Sequence, residues 1–534
     1  MTTDLRAPSS AERAAATILI LGAFAVVLAA LPYKAFDLDR FFVPKELVLA
    51  VTTVSIAVVL IETSRRVSLA RIDVLLIVWL LANTVSALFA ENHWLAFRAL
   101  GVTVGGVAAF WCARAIACTR AGNAVVAGLA LATVAASATA LAQAYGWEPE
   151  YVSLNRAPGG TLGNRNFVAH LAAIGLPALI YTALAVRSWL LSLVAAVGIA
   201  TSAAALVMSR TRAAWLALLV AGAALLLAAL WRRRILFVGA VRARAIAAML
   251  ITAAGIGAAV TLPNELNWRS DSPYLESATG VVNFREGSGR GRLIQYRNSM
   301  VLARENVLLG VGPGNWSVAY PEVAPRNDPS LASTGMTANP WPSSDWVAYA
   351  AERGLIAFAA IAFTVAIIVL GALHRVARAT TTEGGLRALA LAGTVMITFI
   401  VGSFDAVLLL GAPSLIAWAL IGALMAPVRS QWSFTPSTTL RRVTLVAALA
   451  FATLFVVRGT GQAIAMMVYS DGPGRIATVR RAATIDPGSY RIRMRAAELE
   501  LARGSCRAAR RHAQAAQALY PDAPAPRRIL RQCQ

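Results

Sequence analysis

The sequence predicts an all-α, polytopic membrane helical bundle, and three observations carry that prediction. Of 534 residues, 58% are hydrophobic and only 14% charged, and the mean hydropathy is +0.63. Apolar runs of about 20 residues recur along the chain, each long enough to cross a hydrocarbon core as a helix. Arginines gather in alternate short loops between those runs. No soluble interior would hide so much apolar surface.

Nine apolar runs, near 14–33, 45–62, 72–90, 100–117, 122–145, 167–186, 189–208, 213–231 and 244–262, make residues 1–262 an N-terminal membrane unit. Four more, near 346–371, 387–408, 412–427 and 443–465, make a second unit over 346–465, its third run being short. The total is about 12–13 spans. The first run follows Arg6 and Arg13 as a signal peptide would. Its apolar length exceeds a signal core, however, and further spans follow, so it reads as an uncleaved helix. Residues 263–345 form the one long polar segment between spans, and residues 470–534 form a polar tail.

The net charge of +23 comes from 49 Lys+Arg against 26 Asp+Glu, and the only lysines are Lys34 and Lys45. One set of loops carries Arg65, Arg66, Arg71, Arg114, Arg120, Arg187, Arg232, Arg233, Arg234, Arg242, Arg244, Arg375, Arg378, Arg387, Arg429, Arg441 and Arg442. Positive residues in short loops mark the cytoplasmic side. The N-terminus is then cytoplasmic, while 263–345 and the tail lie outside. Because the charge follows topology, nucleic acid is not an expected partner. Genome composition explains most of the preference for arginine; its fit to phosphate is the functional alternative.

In the tail, Pro487 and Pro521 lie 34 residues apart, each after an alanine-rich stretch. That is the period of tetratricopeptide helix pairs. One repeat with capping helices is expected, packed on the membrane unit or on a protein partner, because a single repeat cannot bury its own face. A basic amphipathic tail lying near lipid is the alternative. Cys506 falls near the start of one tail helix and Cys533 near the end of an antiparallel one, which predicts a disulfide in an oxidising compartment. Cys112 and Cys118 lie in or beside a span. No CxxC or Cys/His cluster suggests a metal.

Candidate chemistry begins with Arg210 and Arg212, in a turn of about four residues that belongs to the arginine-poor set of loops. Two cations placed against the orientation rule call for a compensating anion. A bound phosphate is one reading; a lipid head group or a carboxylate side chain is the other. Gly159 to Asn166 offers donors from Asn164, Arg165 and Asn166 at a helix start, where anions are favoured, although the same residues make ordinary turns. His170, inside the next span, reads as a packed, hydrogen-bonded histidine. In the long segment, an arginine-dense run spans Arg285 to Arg292 and a helix is expected from Arg292 to Glu305. A glycine turn follows at Gly310 to Asn315, and Pro340 to Trp346 leads into the next span.

Taken together these elements resemble the O-antigen ligase family, which includes polysaccharide polymerases and protein O-oligosaccharyltransferases. The resemblance rests on Asp39 to Lys45, Gly160 to Asn166, Ser209-Arg210, Gly291-Arg292, Asn306 to Asn315, and Asp345-Trp346 followed by Ala351 to Ile356. It implies a GT-C-like bundle in the bacterial inner membrane. It also implies a metal-independent, inverting transfer of a glycan from a polyprenyl-diphosphate carrier to a glycan, lipid or protein acceptor on the outer side. No cofactor is implied. Arg165, Arg210, Arg212 and Arg292 would hold the diphosphate, since guanidinium groups pair bidentately with phosphate. Asn164, Asn166, Asn315 and Trp346 would contact glycan or acceptor.

One departure bears on mechanism. Family members commonly carry His-Asn-Asp-Tyr where this chain has Ser343-Ser344-Asp345-Trp346, and serine has no basic pKa near neutrality. Asp345 then becomes the expected base with Ser343 binding sugar, or else Asp345 caps the following helix. Two other functions stay open. A transporter of lipid-linked sugars would show ionisable residues within spans and paired broken helices; here Asp405 and His170 are the main candidates. An inactive member could act as an assembly scaffold through the tail.

Overall fold

The computed structural model describes residues 6–63, 66–153, 156–186, 188–268, 270, 272–280, 287–428 and 430–533. Twelve of its helices are long and apolar enough to cross a membrane, and Gly411–Met425 is a shorter apolar helix of 15 residues. Every residue of that short helix is buried. A helix apolar all round belongs inside the protein, which explains a run too short for an ordinary span. It packs closely on His93–Ala117, where a Cβ on Gly422 would lie 2.2 Å from the Phe110 carbonyl oxygen. Arg165–Ala185 is the other central helix, with 89% of its apolar window buried, whereas the figure for Thr438–Ser470 is 6%.

Contacts sort the loops into two opposite faces. On one, Val67–Leu69 pairs antiparallel with Trp432–Phe434. Arginines on this face close the C-terminal ends of helices: Arg375 donates to Met425 O (2.8 Å), Arg387 to Leu424 O (3.2 Å), and Arg441 to Ile61 O (2.7 Å). Free helix-end carbonyls and the helix dipole both favour cations there. These residues come from the arginine-rich loops; Arg65, Arg187 and Arg429 lie outside the described residues.

The other face carries the long polar segment and the tail. Within the segment, Pro273–Thr279, Gly287–Glu305 and Trp316–Val323 are helical. The second of these starts five residues before the expected Arg292, and Arg285 and Glu286 lie outside the described residues. The expected single span after residue 345 is a broken helix, Asp345–Ala377, interrupted at Gly354 (φ 75°, ψ 176°). The break accommodates the glycine turn, whose Val311 N–H donates to Ala351 O (3.0 Å) and Gly312 N–H to Glu352 O (2.8 Å). Beyond the break, Leu355 N–H donates to Val307 O (2.8 Å). The Glu352 carboxylate accepts from Gly314 N–H (2.9 Å) and Trp316 N–H (3.2 Å).

The tail comprises helices Ile476–Ile485, Tyr490–Ala502, Cys506–Leu519 and Pro524–Gln532. Val479, Ala482, Ala483, Ile492 and Ala496 pack with Phe36, Val43, Ala465, Met466 and Tyr469, so the tail is docked on the membrane bundle. Cys506 and Cys533 are disulfide-bonded.

Candidate active site

The Ser209 to Arg212 turn and the start of Arg165–Ala185 meet over one aromatic ring. The guanidinium of Arg210 lies 4.7 Å from the Trp268 ring centroid and that of Arg165 lies 5.3 Å from it, both within cation–π range. Arg210 caps its helix in the left-handed region (φ 54°), the only non-glycine with positive φ among the described residues. Its side chain donates to Ser277 Oγ (2.8 Å) and to Glu276 Oε2 (3.1 Å). A carboxylate therefore compensates Arg210. Arg212 donates to the Gly280 carbonyl (3.2 Å), a neutral partner.

Asn164 caps the Arg165–Ala185 helix by accepting Asn166 N–H (3.0 Å). Asn166 bridges two turns, donating to Asp405 Oδ2 (3.2 Å) and accepting from Thr211 Oγ1 (3.2 Å). One helical turn on, His170 is buried, but neither ring nitrogen has a hydrogen-bond partner among the described residues. The expectation of a hydrogen-bonded histidine is thus corrected: the packed span leaves both ring nitrogens unpaired among the described residues. Asp405 and Arg292 lie within electrostatic reach of the ring. Arg292 likewise has a buried Nε with no partner among the described residues.

Tyr296, one turn from Arg292, places its hydroxyl 2.6 Å from Ser343 O and 2.8 Å from Ser403 O. It fastens the entry to the broken helix to the turn carrying Asp405. Burial raises the Tyr296 pKa, with Arg292 pulling it down and Asp405 pushing it up, so the hydroxyl acts as a donor. Gln295 accepts Ser343 N–H at 2.6 Å.

The helix cap expected at Asp345 falls one residue earlier. Ser344 Oγ accepts Trp346 N–H (3.2 Å) and Val347 N–H (3.3 Å). Asp345 is fully buried, its two oxygens accepting Val407 N–H and Leu408 N–H, each at 2.9 Å. Trp346 donates to Phe399 O (3.0 Å) and stacks on Phe399 at a helix–helix contact. Asn315 is buried against the Asn92 backbone, accepting its N–H (2.7 Å) and donating to its carbonyl (3.2 Å). The structure thus gathers Asn166, Arg292, Asp405 and, through Tyr296, Ser343 into one cluster, with Arg165 and Arg210 joined beside it through Trp268. The polar groups of Asn315 and Trp346 are engaged elsewhere. Sequence reasoning missed Trp268, Tyr296 and Glu276, and it met Asp405 only as an ionisable residue within an apolar run.

Fold and site define a multi-pass membrane protein with an arginine- and carboxylate-bearing cluster on the face that carries the tail. Residues 197–362 match the family model for O-antigen ligase. The match takes in Arg210, Arg212, Arg292, the glycine turn, Ser343, Asp345 and Gly354; Asn164, Arg165, Asn166, Asp405 and the tail lie outside it. It supports glycan transfer of the O-antigen ligase or polymerase type in the membrane. No curated protein matches the chain.

Proposed function

We propose that the protein transfers a glycan from a polyprenyl-diphosphate carrier to an acceptor hydroxyl at the outer face of the bacterial inner membrane. The observation that carries this reading is Arg292, half-buried near Asp405 and His170, whose buried Nε has no partner among the described residues. A buried donor left unpaired is costly unless a ligand acceptor satisfies it. The carrier diphosphate is such an acceptor, with Arg165, Arg210 and Arg212 at the neighbouring turns as further ligands. These groups offset the charge that develops as the diphosphate leaves.

In the proposed step the acceptor oxygen attacks the anomeric carbon opposite the diphosphate. The new C–O bond forms as the bond to the phosphate oxygen breaks, so configuration inverts, and no metal is required. The acceptor proton passes to a carboxylate. Asp405 accepts from Asn166 at Oδ2 and from the Ala406 N–H at Oδ1, but it is half-buried where Asp345 is fully buried, and that exposure places it for the role. Asp345, expected as the base, has both oxygens engaged and suits a positioning role, holding the turn that presents Asp405. Ser343, Asn164 and Asn166 would contact the sugars. The arginine-rich opposite face and the tail disulfide both favour placing this site outside the cytoplasm.

The test is mass analysis of glycans from a strain lacking the protein, complemented with wild type or Arg292→Ala. Carrier-linked glycan should accumulate in the deletion and with Arg292→Ala, and disappear with wild type. If the deletion leaves carrier-linked and surface glycans unchanged, the reading fails.

A further inference from the structure

The helix Gly287–Glu305 lies across the ends of three spans on the tail-bearing face. Tyr296 fastens it to Ser403, the C-cap of Thr382–Gly402, and to Ser343 at the entry to the broken helix. Where the chain leaves the helix, Ser86, in the last turn of Arg71–Leu88, donates to Leu309 O (2.6 Å), and Leu355 donates its N–H to Val307 O. Residues 355–377, beyond the break, suffice to cross a hydrocarbon core, so Leu355 stands at the boundary of that core.

The helix presents two exposed rows. Arg290, Arg297 and Arg304 recur every seven residues, and Leu293 and Met300 do the same beside them. Seven residues are nearly two turns, so each set lines up along the axis. Leu293 and Met300 stand three before and four after Tyr296, on its side of the helix, so the apolar row is the one nearer the span ends. Gln295, Ser299 and Leu302 are buried on the opposite side. Val307 and Leu308 prolong the apolar row past the end of the helix. Leu308 is 68% exposed and its carbonyl meets Gly354; Leu355, next along, is 57% exposed. The row therefore continues into the outward-facing side chains of a membrane span.

The three arginines have no hydrogen-bond or ion-pair partner among the described residues, and Glu305 is the only acidic residue in the helix. Leucine, methionine and valine aligned in water would be unfavourable. Beside the hydrocarbon boundary lipid buries them, and the arginines above them can lay their apolar stems along that boundary with the guanidinium groups among the phosphates. Phosphate is the anion such groups pair with most readily.

We propose that this two-rowed stripe binds the phosphate head groups of anionic phospholipids, docking the helix that carries Arg292 onto the leaflet. Such docking needs only the bundle in a bilayer and stands whether or not the protein transfers glycan. A protein partner or a second copy of the chain would occupy the same stripe without preferring a charged lipid.

The test uses the full chain, purified and reconstituted in nanodiscs of equimolar phosphatidylcholine and phosphatidylglycerol, with a benzophenone amino acid replacing Leu293 or Met300. After irradiation and digestion, mass analysis should show phospholipid adducts at both positions, phosphatidylglycerol exceeding phosphatidylcholine by about threefold or more. A control at Leu454, an exposed position within a span, sets the ratio for lipid met without a cation. Arg290→Gln, Arg297→Gln and Arg304→Gln combined should bring the ratio at Met300 down to that at Leu454. Absence of lipid adducts at Leu293 and Met300 while Leu454 is labelled overturns the proposal, as do peptide adducts there in place of lipid. So do lipid adducts in the ratio found at Leu454, which would mean apolar contact without head-group recognition. A preference for phosphatidylglycerol that survives the triple substitution overturns it too. For a substituted chain that fails to accumulate, the ratio in the arginine-bearing chain, measured against Leu454, decides the question.

Discussion

Gly354 and Leu308 meet backbone to backbone: a Cβ added to Gly354 would lie 2.1 Å from the Leu308 carbonyl oxygen. The same contact zone holds Gly310, where a Cβ would lie 2.2 Å from the Glu352 carbonyl carbon. The break in the Asp345–Ala377 helix and the glycine turn of the long segment are therefore one structure. It fixes the approach of the segment to the membrane surface and, through Tyr296 and Ser343, the position of the cluster.

Gly354→Ala should consequently be severe. Its φ/ψ region is occupied almost only by glycine and costs other residues about 1–3 kcal/mol before any clash is counted. A lowered melting temperature in detergent, with reduced membrane abundance, is the expected result. Gly371→Ala in the same helix meets nothing within 4 Å and should be neutral or slightly stabilising. Equal melting of the two variants would show that the junction is not rigid.

Arg292→Ala should reduce turnover of a diphosphate-linked donor by about 100-fold, the scale of losing a positioned charge-stabilising donor. Arg292→Lys should restore only part, because an ammonium cannot make the bidentate contact. Arg210→Ala should cost less, since Glu276 and Ser277 already hold that side chain. Full activity of Arg292→Lys in a steady-state assay would replace bidentate recognition with simple charge.

Asp345→Asn and Asp405→Asn separate positioning from proton transfer. Asparagine at 345 would set an NH₂ against a backbone N–H, costing about 1–3 kcal/mol for the disrupted pair, so melting temperature and activity should fall together. Asp405→Asn, at a half-buried carboxylate that accepts from Asn166 and the Ala406 N–H, should lower the melting temperature less than Asp345→Asn while transfer falls about 100-fold or more. Undiminished stability with lost activity in Asp345→Asn would return the base to Asp345.

Asp486, beside Arg458 and the Gly488 N–H, has its pKa raised above 3.8 by burial; those two neighbours and Arg98 pull it down, and Asp39 pushes it up. The folded tail thus retains a proton that the unfolded tail releases. This stabilising contribution is complete below the ordinary aspartate value and is lost as pH rises through the folded one. Asp486→Asn should remove the dependence, bringing the melting temperatures in acidic and neutral buffer closer together than in wild type.

Reporter fusions test the sidedness. Alkaline phosphatase should be active when fused after Gly314 or Ser505 and inactive after Arg233. The reverse pattern would move the Arg292 cluster to the cytoplasm. Non-reducing peptide mapping should recover Cys506 linked to Cys533, and Cys506→Ser should destabilise the tail by about 2–4 kcal/mol.

The spans were legible because an apolar run of membrane length has few alternatives, and the Cys506–Cys533 pairing because helix ends bracket it. The glycine turn and Ala351 to Gly354 were each visible as motifs, but their mutual contact was not, since glycine spacing specifies permissiveness and no partner. Asp345 shows the same limit. Its position before a helix was plain, whereas its bonds to Val407 and Leu408 depend on a turn brought back from beyond the next span. Trp268 gave no signal, because what makes it notable is the pair of guanidinium groups converging on it.

The two-stranded clasp bears on how the molecule is made. Leu69 lies opposite Trp432, so the third span is inserted long before the strand that ties down its leading end has been synthesised. Non-local closures of this kind form late and slowly. Every span but the last precedes residue 432; that last helix then lies along Asp39–Thr63, Arg441 engages Ile61 and Glu62, and the tail reaches the far side. A nascent chain interrupted before this point would sit in the bilayer with most of its helices and Arg292 already present, yet with neither the strand pairing nor the docked tail. Synthesis of the last span and the tail thus becomes the step that locks the helices laid down first.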